Sequence, residues 1–333
     1  MKQTAVIVCP GRGGYNKPEL GSITERHLPK QSELISRLDK VRENEGFTGI
    51  SELDQKDKFD HRLHLKPENS AALIFAAGYA DFKAVDPEQY DIVAVTGNSM
   101  GWYTALACAG AWQPEKAMSI VTDMAKRTAT AEGAQLIYPI MNEQWQPDKA
   151  REKAVSQLLE KLAGELFLSI RYGGYVLLAG TQNAINAANK ALAPVDNRFP
   201  MILPGHAAFH SPLMKEASDQ ALSVWDSSHF RQPELPLIDG RGVIWEPPGC
   251  NLDALQRYTF GHQVTEYYDY TKAITVALRE FAPDKLLLLG PGNSLGGATG
   301  QSLVAANWRN LSGKDDFTRR QEGEEAPVIS LGL

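Results

Sequence analysis

Cysteine is scarce in this chain, with three among 333 residues. Cys9, Cys108 and Cys250 are odd in number and widely spaced, so they build neither a disulfide framework nor a metal knuckle. A reducing, cytoplasmic setting is the simplest reading. Positive charge is not in excess either. The formal net charge is −6 and no long basic run occurs, which argues against nucleic acid and an electrostatically held membrane surface as partners. No apolar run is long enough to cross a bilayer. "MKQTAVIVCPGRGG" has too short an apolar run, and no small-residue cleavage site, for a secretory signal. What is present is 43% hydrophobic and 22% charged residues, enough to fill a buried core in a chain longer than one average domain.

"TAVIVCP" and "DIVAVTG" are β-branched apolar runs, each followed by glycine and then a helical stretch. That pattern predicts strands buried on both faces of a parallel sheet in an α/β architecture. Residues 22–66, strongly charged, read as a solvated excursion of weak helices and loops. His27, His61 and His64 are accordingly expected at the surface. "ENSAALIFAAGYADF" reads as a largely buried helix with Asn69 or Ser70 as its N-cap.

The rhythm changes at residue 134. "LIYPIMN" reads as a strand, the stretch beginning at Pro147-Asp148 as a helix, and "LFLSIRYGGYVLLAG" as two strands meeting at Gly173-Gly174. "NAINAANKAL" reads as a helix and "FPMILP" as a last strand. The order β-α-β-β-α-β predicts a ferredoxin-like small subdomain over 134–204, inserted into a large domain formed by 1–133 and 205–333. Beyond it, "DYTKAITVALREF" predicts an amphipathic helix, "DKLLLLGPGNSLGG" a buried strand entering a glycine-rich loop, and "PVISL" a closing strand.

Gly97-Asn98-Ser99-Met100-Gly101 is a G-x-S-x-G match inside "VAVTGNSMGWYTALACAG". In such an elbow a strand turns into a helix too sharply for side chains at the flanking positions. The serine hydroxyl then projects from an α/β-hydrolase-like sheet, at a helix N-terminus. Ser99 is therefore a candidate nucleophile, with a cap in a tight turn as the other reading. Of seven histidines, His206 and His210 share "LPGHAAFHSPLMKEA". His206 reads equally well as a packed imidazole, while His210 immediately precedes the helix start Ser211-Pro212.

"GNSMGWYTALACAGAW", "AFHSPLMKEA" and "LLLLGPGNSLGG", in that order after "CPGRGGY", resemble the malonyl-CoA:acyl-carrier-protein transacylase family and related polyketide acyltransferases. The likeness runs from about residue 5 to residue 305 and is thin across 22–66. It implies a ping-pong reaction in which Ser99 takes an acyl group from acyl-coenzyme A and passes it to the thiol of an acyl carrier protein, with His210 as general base. It implies an oxyanion hole from the backbone N–H groups of Met100 and Arg12, and a backbone carbonyl, that of Gln263, orienting His210. Asn69 stands where the family has a polar cleft residue. The protein is expected to act as a monomer, with no metal and no bound cofactor.

Two departures concern the acyl group. The family grips the malonyl carboxylate with a helix arginine, a bidentate device, and the matching residue here is Met124. Arg12 replaces the glutamine of the N-terminal loop. Either the acyl group lacks a carboxylate, or Arg12 or Arg171 has taken over. The first is favoured, because burying a carboxylate against methionine is costly. A serine hydrolase is the nearest rival, but Asp123, Asp148 and Asp196, the aspartates between Ser99 and His210, make poor third members. "GPGNSLGG" lacks the lysine of a phosphate-binding loop and reads as a packing turn. Arg171, Lys190 and Arg198 are candidates for docking an acidic carrier.

Overall fold

The computed structural model describes residues 2–333. Its strands are, in chain order, β1 (Gln3–Cys9), β2 (Tyr90–Gly97), β3 (Ala134–Pro139), β4 (Leu166–Tyr172), β5 (Tyr175–Gly180), β6 (Met201–Ile202), β7 (Leu237–Ile238), β8 (Ile244–Trp245), β9 (Tyr268–Asp269), β10 (Lys285–Leu288) and β11 (Val328–Ser330). A six-stranded sheet runs β11-β10-β1-β2-β7-β8 and is parallel except at the β7–β8 edge. Ala5 to Cys9 are fully buried, because both faces of β1 are covered. Ala5, Ile7 and Cys9 join the core under helices 67–84, 101–108 and 114–129, while Val6 and Val8 join that under helices 270–281 and 296–305. The period of two in a strand splits one apolar run between two cores.

The smaller sheet runs β6-β3-β5-β4-β9. Neighbours within 134–202 are antiparallel, and β9, from far along the chain, joins β4 in parallel. Helices Lys149–Lys161 and Gln182–Ala191 contribute Val155, Ile185 and Ala188 to a core with Leu136, Tyr138, Val176 and Leu178. The alternate residues Gln135, Ile137 and Leu177 face the cleft between the sheets.

Residues 22–66 depart from the expectation of a solvated excursion. They form helices Ser22–Arg26, Leu28–Asn44, Ile50–Asp54 and His61–His64, which bury Ile23, Leu34, Ile35, Leu38, Ile50 and Leu53 in the main core. Three of these, Ile23, Ile50 and Leu53, lie on helices of five residues, too short for a visible period. His61 is exposed as expected, but His27 and His64 are buried. His27 lies 3.0 Å from Asp81, and His64 Nε2 donates to the Leu53 carbonyl at 2.9 Å. The buried helix 67–84 starts at Pro67 with Lys66 as its cap, so neither Asn69 nor Ser70 caps it. No helix among the described residues is long and apolar enough to cross a membrane.

Candidate active site

β1 and β2 end side by side, with Cys9 opposite Gly97, and the chain leaves each by a sharp turn. Ser99 sits at φ 55°, a left-handed conformation that costs a non-glycine residue about 1–3 kcal/mol and persists only where the surroundings impose it. Here they do. A Cβ on Gly97 would come within 2.5 Å of the Gly101 backbone, and one on Gly101 would overlap the Cys9 carbonyl. Tyr268 Oη donates to the Gly97 carbonyl at 2.6 Å and Gln263 Nε2 to that of Ser99 at 3.0 Å.

The turn aims the Ser99 hydroxyl at His210, with 2.7 Å from Oγ to Nε2. His210 is itself held at φ 54°, and Ser211, which follows it, ties back to the Ala208 carbonyl at 2.6 Å. On its far side, Nδ1 lies 2.6 Å from the Gln263 carbonyl. That carbonyl is available because the helix ends at Thr265, leaving the last-turn acceptors without helical donors. A carbonyl cannot donate, so Nδ1 carries the proton and Nε2 faces Ser99 as an acceptor. Burial pushes the imidazole pKa down to about 4, against the pull of the Gln263 carbonyl, with His262 lowering it slightly further. The base is neutral at pH 7.

The Met100 N–H opens the helix after the elbow, and the Arg12 N–H lies in the loop after β1. Among the described residues, neither is taken up by another group of the chain. Gly11 lets this loop approach, since a Cβ there would lie 2.7 Å from the Asn98 carbonyl. The aspartates are engaged elsewhere. Asp123 binds Arg127 and Trp225, both at 2.7 Å, and Asp148 caps a helix.

Ser99 and His210 open onto a cavity of about 260 Å³. Helix 114–129 supplies Val121, Met124, Ala125 and Thr128, so Met124 lies where the sequence places it. Arg12, Met100 and Gln263 also line it. Two expected pocket residues do not. Asn69 is buried behind the wall, accepting from Arg42 Nη2 at 2.7 Å and donating to the Leu63 carbonyl at 2.9 Å. Ala71, two residues on, faces the cavity instead, since residues two apart on a helix point to different sides. Arg171 lies on the helix-covered face of its sheet, 3.8 Å from Glu152, while its neighbours Ile170 and Tyr172 face the cleft. A bulge between Leu168 and Ile170 sets that parity.

Sequence reasoning left His206 without a role and did not select Gln135 or Phe209. All three line the cavity, with His206 Nδ1 2.8 Å from Gln135 Oε1 and the Arg12 guanidinium 4.8 Å above the Phe209 ring. Alternation along β3, which turns Gln135 away from the apolar core, was the available signal. Burial, and secondarily the charge of Arg12, push the His206 pKa down to about 3. Burial pulls Arg12 down to about 10, partly offset by Glu68.

With the geometry in place, similarity to known proteins becomes informative. The chain is 28% identical over 211 residues to the malonyl CoA-acyl carrier protein transacylase of Escherichia coli K12, and 24% identical over 280 residues to that of Synechocystis. Its relatives and structural neighbours are malonyl-CoA:acyl-carrier-protein transacylases, which are acyltransferases. The match spans 62% of this chain and 64% of the E. coli enzyme, and 84% and 89% for Synechocystis. No protein-family model matches. The Synechocystis transacylase structure superposes with a TM-score of 0.73 at 18% identity, covering 100% of this chain and 98% of that one. A type II polyketide malonyl-transacylase, solved in complex with its acyl-carrier protein, gives 0.72 at 20% identity over 93% and 99%. These superpositions establish the fold.

Proposed function

We propose that this chain is an acyltransferase that moves an acyl group from coenzyme A to the thiol of an acyl carrier protein through an ester on Ser99. The observation that carries the reading is the relay from Ser99 Oγ through His210 to the Gln263 carbonyl, beside the two free N–H groups of Met100 and Arg12. As Oγ attacks the thioester carbonyl, Nε2 takes its proton and the oxyanion forms against those N–H groups, each worth a few kcal/mol in such sites. The C–S bond breaks, and the coenzyme A sulfur leaves with the proton from the imidazolium. The carrier thiol then gives its proton to Nε2 and attacks the ester, regenerating Ser99. The names of the relatives and the carrier complex of the polyketide enzyme support the choice of donor and acceptor. On this reading the protein works in the cytoplasm as a monomer and needs no cofactor.

The acyl group is uncharged on this reading. The helix wall offers Val121, Met124, Ala125 and Thr128, none of them a cation, and Arg171 is turned away to Glu152, so that of the two candidate cations only Arg12 lines the cavity. The test is steady-state transfer from butyryl-CoA to a phosphopantetheinylated carrier protein. Parallel double-reciprocal lines and an isolable acyl-enzyme are expected. Intersecting lines with no acyl-enzyme would overturn the ping-pong reading.

A further inference from the structure

The wall opposite the helix carries two polar groups that the transfer chemistry leaves unused. The first is His206. Gln135 Nε2 lies 2.7 Å from Ser169 Oγ and 3.4 Å from the Phe209 carbonyl, and Ser169 Oγ donates to that same carbonyl at 2.7 Å. The carbonyl only accepts, and the serine proton is already committed to it, so the amide presents its N–H₂ to this pair. Gln135 Oε1 therefore faces His206 Nδ1, which must carry the ring proton. His206 Nε2 is left as a lone-pair acceptor without a partner among the described residues. A buried three-residue chain fixes one tautomer of an imidazole that lines the cavity.

The second group is Arg12. Its guanidinium lies over Phe209, while His206 packs edge-on against the same ring with centroids 5.7 Å apart. Among the described residues Arg12 forms no hydrogen bond or ion pair through its side chain. A donor and an acceptor thus flank one aromatic ring, in the residue adjoining His210. A carboxylate would satisfy Arg12 but set its other oxygen against the Nε2 lone pair. An alkyl group would satisfy neither. A hydroxyl can accept from the guanidinium and donate to Nε2.

We propose that Arg12 and His206 form a specificity pair for a hydroxylated, uncharged acyl chain, so that the preferred donor is a hydroxyacyl thioester. This rests on the assignment of Ser99 as the acylated residue and sharpens it. A site built to hydrogen-bond a hydroxyl discriminates against the analogue lacking it, because its polar groups are otherwise left unpaired. The amide of the pantetheine arm also donates and accepts, and the experiment separates the two sources.

Acylation rates of Ser99 are measured with butyryl-CoA and with its 2-, 3- and 4-hydroxy derivatives. One hydroxy isomer should react about tenfold or more faster than butyryl-CoA in the wild-type protein. The preference should fall to about one in His206→Phe and in Arg12→Met. In parallel, the N-acetylcysteamine thioester of butyrate is compared with the S-pentyl thioester, which has the same length but no amide. No preference for any hydroxy isomer in the wild type overturns the proposal without need of a variant. So does a hydroxyl preference that survives both substitutions. If the variants instead lose discrimination for the amide, the pair reads the carrier arm and the hydroxyacyl assignment falls. Failure of every donor to acylate Ser99 would instead refute the underlying transfer reading.

Discussion

The two walls of the cavity are built by opposite means. On helix 114–129 polar side chains are turned onto the chain itself, as where Arg127 holds Asp123 at 2.7 Å, and the inward face is Val121, Met124, Ala125 and Thr128, whose hydroxyl donates back to the Met124 and Ala125 carbonyls. On the facing wall, inward polar groups are retained. Gln135 and Ser169 are fully engaged with each other and with Phe209, and they hold His206 in one state. A polar residue in a buried wall is kept only with a partner; where it lacks one, as at His206 Nε2, a ligand group is the natural candidate. On the proposed reading, recognition of the acyl group rests on the polar wall and its accommodation on the apolar one.

The largest expected effect lies between the walls. Ser99→Ala should reduce acyl transfer by about 10⁴-fold or more, as removal of a nucleophile from such a unit does, with the thermal midpoint unchanged to within a few degrees. Transfer at wild-type rate would remove the serine from the mechanism. Next comes a deliberate exchange of character on the apolar wall. Met124→Arg should raise kcat/KM for malonyl-CoA about tenfold and lower it for butyryl-CoA, since an ion pair in a dry site is worth at least the 1.4 kcal/mol of a tenfold change. No gain with malonyl-CoA would show that the acyl group does not reach this wall.

The pH dependence addresses the base. His210 is held down to about 4, so its neutral form is present throughout pH 5–8 and the acylation rate should be flat there. It should fall about tenfold per unit below pH 4. A rate that already halves near pH 6.5 would contradict a buried base. His206 and His210 both have folded pKa values below the ordinary 6.5. Between about pH 6.5 and 4 the unfolded chain thus binds more protons at these positions, and stability should decline as the pH drops through that window. The smallest effect is on the surface of the small subdomain. Lys190 and Arg198 are exposed, and replacing both with alanine should reduce carrier-dependent turnover two- to threefold at low salt while leaving acylation by acyl-CoA unchanged. An equal loss in both half-reactions would exclude carrier docking there.

How much of this could be read from the sequence varied with the range of the physics involved. The elbow is local, and Gly97 and Gly101 are dictated by backbone atoms within a few ångströms, so five residues announced it. The strands β1, β2 and β10 were legible because burial on both faces leaves an uninterrupted apolar run. The partnership of His210 with the Gln263 carbonyl spans 53 positions and came only from the resemblance, since a backbone acceptor leaves no mark in side-chain identity. Asn69 and Arg171 were misplaced through small shifts in phase. A helix that starts at Pro67 puts Ala71 inward, and one bulge decides which of Ile170 and Arg171 sees the cleft. Residues 22–66 were misjudged because charges outnumber the few side chains that reach the core. His206 acquired meaning only from Gln135, 71 positions away.

The acyl-enzyme on Ser99 is tested most simply by intact-protein mass after brief incubation with acyl-coenzyme A donors, wild type beside Ser99→Ala. An acyl adduct is expected on the wild type from uncharged donors, with little or none from malonyl-CoA, and none on Ser99→Ala. An adduct formed readily from malonyl-CoA would contradict the uncharged-acyl assignment, and one that persists in Ser99→Ala would contradict the nucleophile itself.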